Sequence, residues 1–92
     1  MQYKKYFIEL ISSFLAGELS REEVAHQVAM ELPIDNDYRK DIELMENCEM
    51  ALRHINEHGY WTTETELEYY LLCLKGDKQF SHKIRDDLLA SL

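Results

Sequence analysis

Residues 3–28 read YKKYFIELISSFLAGELSREEVAHQV, and the fold is decided by this stretch. Tyr3, Tyr6, Phe7, Leu10, Ile11, Phe14 and Leu15 recur at intervals of three and four, which is one face of a helix. Gly17 stands just past the last periodic residue, where a left-handed conformation closes a helix at no steric cost. Ser20 and Glu23 then spell a capping box, with Leu19 and Val24 at the two hydrophobic-staple positions. Two helices joined this tightly fold back on each other, and later helices must cover what the hairpin leaves exposed. The expectation is an all-α chain, a small antiparallel helical bundle of four to five helices in one domain over residues 1–92.

The rest of the chain continues in the same terms. The second helix runs from Ser20 toward Leu32 with Val24, Ala25, Val28, Ala29 and Leu32 inward, and Pro33 forbids its continuation. Residues 33–37 read as a loop whose Asp and Asn side chains are good N-caps. A long third helix is expected from about Asp37 to His58, on the order of 30 Å at 1.5 Å per residue. Tyr38, Ile42, Met45, Cys48, Leu52 and Ile55 share its apolar arc, with Leu44 and Ala51 at the edge. Arg39 with Glu43, Glu49 with Arg53, and Arg53 with Glu57 are spaced to pair along it. Glu49 falls close to the apolar arc, so either Arg53 holds it at the boundary or that face is open to a partner. After Gly59, Thr63 and Glu66 suggest a second capping box, and Leu67, Tyr70, Leu71 and Leu74 an inner face. Tyr69, Leu72 and Cys73 make that fourth helix apolar nearly all round, as expected of a central helix or of one facing another chain. Ser81 is a plausible cap for a short last helix carrying Ile84, Leu88 and Leu89.

Ninety-two residues are enough for one core, in which roughly 65% of the unfolded chain's surface is buried. They do not leave room for a deep substrate cavity as well. Eighteen acidic residues against ten basic ones give a net charge of −8, which repels nucleic acid and anionic membranes and attracts a basic protein. No stretch reaches the roughly 18 uninterrupted apolar residues of a membrane span, and no signal-peptide pattern follows the early lysines. A cytoplasmic location is therefore expected. Cys48 and Cys73, each alone in an apolar periodic segment, read as buried thiols, a disulfide between them being the minor alternative.

His54, Glu57 and His58 match the spacing of an H-x-x-E-H zinc site, in which two His one helical turn apart share the metal. A third ligand and a cleft are not evident, and the favoured reading places His58 at a helix C-terminus and His54 on the solvent arc. The serines lie in helical or capping contexts, and the three glycines are isolated helix stops, not a phosphate loop. Neither an enzyme nor a cofactor or metal site is expected.

The acidic residues carry more information. Between Glu31 and Glu49 there are seven acids against Arg39 and Lys40. Capping and helix-dipole effects account for Asp35, Asp37 and Asp41 but not for Glu43 and Glu46. A rigid row of carboxylates can meet a basic cleft that normally binds phosphates, and opposite potentials speed the encounter. A solubilising surface is the competing explanation.

Over Leu10, Ile11, Phe14, Leu15, Ala16, Gly17, Glu18, Leu19, Ser20, Glu23 and Val24, the chain resembles the opening of colicin D-type immunity proteins. It resembles equally the related immunity proteins of contact-dependent growth inhibition systems. Those proteins begin with a helix ending in Phe-Leu-x-Gly, followed by an apolar residue, Ser and a Glu-containing helix. The resemblance covers roughly the first third of the chain. It implies a helical bundle that binds a toxic nuclease domain, often one cutting tRNA, and blocks its active site with acidic groups. The matched positions are structural, so no catalytic residue is carried over.

Together these readings nominate Asp35, Asp37, Asp41, Glu43 and Glu46 as the residues meeting a cognate nuclease toxin, with Tyr38, Tyr60 or Trp61 as an aromatic anchor. The alternative is a homodimeric helical adaptor associating through residues 67–74.

Overall fold

The computed structural model describes residues 1–59 and 61–90. They form an antiparallel bundle of five helices, α1 (Tyr3–Leu15), α2 (Arg21–Glu31), α3 (Ile42–Arg53), α4 (Glu64–Leu74) and α5 (His82–Ala90), with no sheet among the described residues. α4 is the central element. It packs on α1, α3 and α5, and α1 leans on α4 more extensively than on α2. The hairpin read from the sequence therefore opens to admit a third helix, while α2 rests mainly on α3.

The turn between α1 and α2 follows its local code. Gly17 has φ +81°, its N–H bonds Phe14 O at 3.0 Å, and Glu18 N–H reaches back to Ser13 O at 2.9 Å, which together close the helix in a Schellman motif. The capping box is complete: Glu23 N–H donates to Ser20 Oγ at 3.1 Å and Ser20 N–H to Glu23 Oε1 at 3.0 Å. Phe7, Ile11, Val24, Val28, Leu52, Ile55, Leu67 and Tyr70 are wholly buried and form the centre of the core. Ala29, expected inside, is exposed.

α3 is shorter than its periodicity suggests, 12 residues or about 18 Å. At its start, Tyr38 leaves the helical path to pack edge-on against Tyr3 at 5.0 Å and near Phe7 at 6.2 Å. Asp41 then takes φ +51° with no side-chain cap, so neither it nor Asp37 caps the helix as expected. At its end, backbone carbonyls are taken from outside: Thr62 Oγ1 donates to Ala51 O at 2.7 Å and Arg21 Nη1 to Ile55 O at 2.9 Å. At the end of α3 Ile55 N–H turns to Leu52 O at 3.4 Å, and Thr62 takes the Ala51 carbonyl that a continuing helix would have given it. Ile42, expected in the core, is exposed, whereas Leu44 and Ala51 at the expected edge are buried. Arg39 pairs with Asp37 at 3.7 Å instead of with Glu43, and Glu57 contacts His54 instead of Arg53.

The second capping box forms only by half. Glu66 N–H donates to Thr63 Oγ1 at 3.0 Å, but the Glu66 carboxylate turns inward and accepts from Tyr70 OH at 2.5 Å. Glu66 is only 4% exposed. α5 closes over this pair: its Arg85 hydrogen-bonds Tyr70 and contacts Asn47 of α3, and just before the helix Ser81 N–H donates to Tyr69 OH at 2.8 Å. Leu88 and Phe80 pack on the core's edge, while Ile84 and Leu89 stay exposed.

Candidate protein-binding surface

The segment from Pro33 to Asp41 links α2 to α3 without helical bonds, so side chains must hold it. Glu49 is the hub. Its Oε1 accepts from Tyr38 OH at 2.6 Å and from Asn36 Nδ2 at 3.1 Å, and its Oε2 from Arg53 Nε at 2.8 Å. Asn36 Nδ2 also reaches Pro33 O at 2.7 Å, and Arg53 Nη2 reaches the same carbonyl at 2.8 Å. Burial pulls the Glu49 carboxyl up, but the hydrogen bonds from Tyr38, Arg53 and Asn36 outweigh it and hold it below the ordinary carboxylate range. Burial, and then the neighbouring Glu49, push the Tyr38 phenol up. Of the two readings of Glu49 left open by the sequence, the structure selects the first: Arg53 holds it, joined by two partners from the loop.

Above this hub lies a shallow hollow of about 390 Å³ whose rim carries Asp35, Asp37 and Glu46. Asp35 and Glu46 make no ion pair among the described residues, and Asp37 faces only the solvent-exposed Arg39. Ile34 stands at the rim with 88% of its surface open. The sequence gives no reason to single out Ile34, because a lone apolar residue beside a proline reads as part of a turn.

The expected row of acids is divided. Asp41 is bound by Lys4 Nζ at 3.1 Å, and Glu43 lies 3.3 Å from His82 Nε2. Both face a neighbouring hollow of about 560 Å³, lined also by Lys4, Arg39 and Lys78. Tyr38 is 6% exposed and supports the acidic hollow from beneath, so it does not project as an aromatic anchor. Tyr60 lies outside the described residues. Trp61 is 56% exposed, and one face of its indole is covered by the Arg21 guanidinium at 3.8 Å from the ring centroid. Arg21 is fixed in turn by Ile55 O at 2.9 Å and Thr62 O at 2.6 Å, with Phe14 at 5.4 Å. Burial lowers the Arg21 pKa, and the nearby Glu64 opposes that shift.

His54 lies at the C-cap of α3, paired with Glu57, and His58 follows beyond the helix, so the two rings do not share a helical turn. Among the described residues no group of three or more His, Cys, Asp or Glu side chains is placed to hold a metal ion. Cys48 and Cys73 are both free and buried, and burial raises both thiols. No helix among the described residues is long and apolar enough to cross a membrane. What the arrangement of the described residues offers is a shaped, charged surface on a pinned loop. Comparison with known family models, with curated proteins and with solved structures returns no match to this chain.

Proposed function

We propose that this chain is a cytoplasmic, non-enzymatic immunity protein that binds a nuclease toxin of the kind that cleaves RNA, tRNA included, and covers its basic active site. The observation that carries this reading is the acidic hollow: Asp35, Asp37 and Glu46 surround a loop that Glu49, Asn36 and Arg53 fasten to α3. A solubilising surface needs charge but no such fastening. A loop held in place before binding loses little entropy on docking, which favours recognition. Trp61, backed by Arg21 and lying outside the acidic hollow, is a rigid aromatic of the kind that anchors interfaces. Interfaces of standard size bury about 800 Å² per partner. The exposed surface here totals 5971 Å², so one such contact would occupy a sizeable share of it. The adaptor alternative draws less support, since α1, α3 and α5 already cover most of the apolar surface of α4.

The test is calorimetry against the C-terminal domain encoded by the immediately upstream gene, at low and high salt, beside a tRNA-cleavage assay. Tight binding that weakens with salt and abolishes cleavage is the expected result. Asp35→Lys plus Glu46→Lys should leave the helical circular dichroism intact and weaken inhibition at least tenfold. Full inhibition by that variant would remove the acidic hollow from the proposal, and absence of binding by the native chain would end it.

A further inference from the structure

The surface cations of this acidic protein are not scattered. Of its ten Lys and Arg residues, Arg21, Arg53 and Arg85 are engaged in holding the fold. Of the other seven, Lys4, Arg39, Lys40 and Lys78 line two adjoining hollows. The smaller, of about 390 Å³, has an apolar floor of Tyr3, Tyr38 and Met45 under the rim residues Lys4, Arg39 and Lys40. It shares Lys4 and Arg39 with the larger hollow, and Asp37 and Tyr38 with the acidic one. One short loop thus separates a negative depression from a positive, apolar-floored depression.

The ion pairs already present on the positive side are open to exchange. Arg39 and Asp37 are 3.7 Å apart and both more than four-fifths exposed, Lys4 is paired with the half-exposed Asp41 at 3.1 Å, and Lys40 has no ion pair among the described residues. Exposed pairs of this kind are worth little, so a partner's carboxylate could replace Asp37 at small cost.

We infer that the partner surface is bipolar: basic where it meets Asp35, Asp37 and Glu46, and carrying a carboxylate beside an apolar side chain where it meets Lys4, Arg39 and Lys40. This rests on the toxin-binding reading and adds to it the chemistry of the second contact. The acidic hollow meets the toxin's Lys and Arg side chains. The positive hollow receives an acidic side chain that a purely negative inhibitor would repel.

The two pictures predict opposite signs for one variant. Arg39→Glu plus Lys40→Glu moves the net charge four units further negative from −8. If only the overall field mattered, association with a basic toxin domain would quicken. The bipolar contact instead makes binding at least tenfold weaker, because like charges then face each other. Lys83→Glu, on α5 and outside all three hollows, moves the net charge two units in the same direction and serves as the control for its sign. Binding of the 92-residue chain to the upstream-encoded C-terminal domain is measured by stopped flow and calorimetry, with circular dichroism confirming the fold of each variant. Weakening by the Arg39/Lys40 variant with unchanged or faster association of the Lys83 variant supports the inference. Equal or tighter binding by both variants overturns it while leaving the toxin-binding reading in place. No binding by the native chain overturns both.

Discussion

Tyr38 OH donates to Glu49 Oε1 at 2.6 Å, joining a residue of the α2–α3 loop to one in the middle of α3. The loop backbone leaves the helical path there because the ring is more valuable in the core than a further turn of helix would be. Tyr38→Phe keeps the ring and removes the bond. We expect it to cost about 1.5–3 kcal/mol in urea unfolding, the range for hydrogen bonds to charged groups. A loss below a few tenths would mean that Asn36 and Arg53 alone fasten the loop.

Glu49 also sets a pH dependence. Its folded pKa is depressed, so its contribution is complete above the unfolded value of about 4.3 and is lost as pH falls through the lower folded value. Glu23 behaves similarly, held low by hydrogen bonds from the Ser20 backbone and side chain. The relevant quantity is therefore the difference between the native chain and Glu49→Gln. Urea midpoints at pH 7, 5 and 3 should fall more steeply for the native chain, and parallel curves would show that Glu49 is not the titrating hub.

Arg21 is the second cross-link. Trp61 is the chain's single tryptophan, so its fluorescence reports on the stacked guanidinium directly. Arg21→Met retains aliphatic bulk but leaves Ile55 O and Thr62 O without their donor. We expect a changed emission maximum and a loss of about 1–3 kcal/mol. An unaltered spectrum would place the stack outside the solution structure.

Glu66 is the buried carboxylate at the centre of the bundle, and Tyr70 OH is its partner. Glu66→Ala removes the acceptor of that hydroxyl and leaves it only its contact with Arg85 of α5, and should cost about 2 kcal/mol, with Glu66→Gln costing less. Thermal unfolding distinguishes the two variants. Equal stability of Glu66→Ala and the native chain would show that α5 does not seal the site from water.

The helices were legible where their signals were local. Gly17, Ser20 and Glu23 close and open helices through bonds spanning only a few residues, and their geometry follows the sequence directly. The bounds of α3 were not, because Tyr38 is drawn into the core by Tyr3 and Phe7, and Thr62 and Arg21 occupy carbonyls from 11 and 34 residues away. The candidate site followed the same division. Counting charges found Asp35, Asp37 and Glu46, but the left-handed Asp41 swings itself and Glu43 toward Lys4 and His82, which a helical projection cannot anticipate. Glu66 was read as a capping partner because its spacing from Thr63 is right, and its burial depended on a Tyr70 that the cap does not involve.

The Glu49 hub separates the residues that hold the loop from those that it displays. Asn36, Tyr38, Glu49 and Arg53 fix the backbone, while Ile34, Asp35, Asp37 and Glu46 project outward and take no part in that network. Displayed positions can therefore drift by substitution without unfolding the frame beneath them. Substitutions at those four positions change the chemistry of the surface one side chain at a time while the frame stays folded.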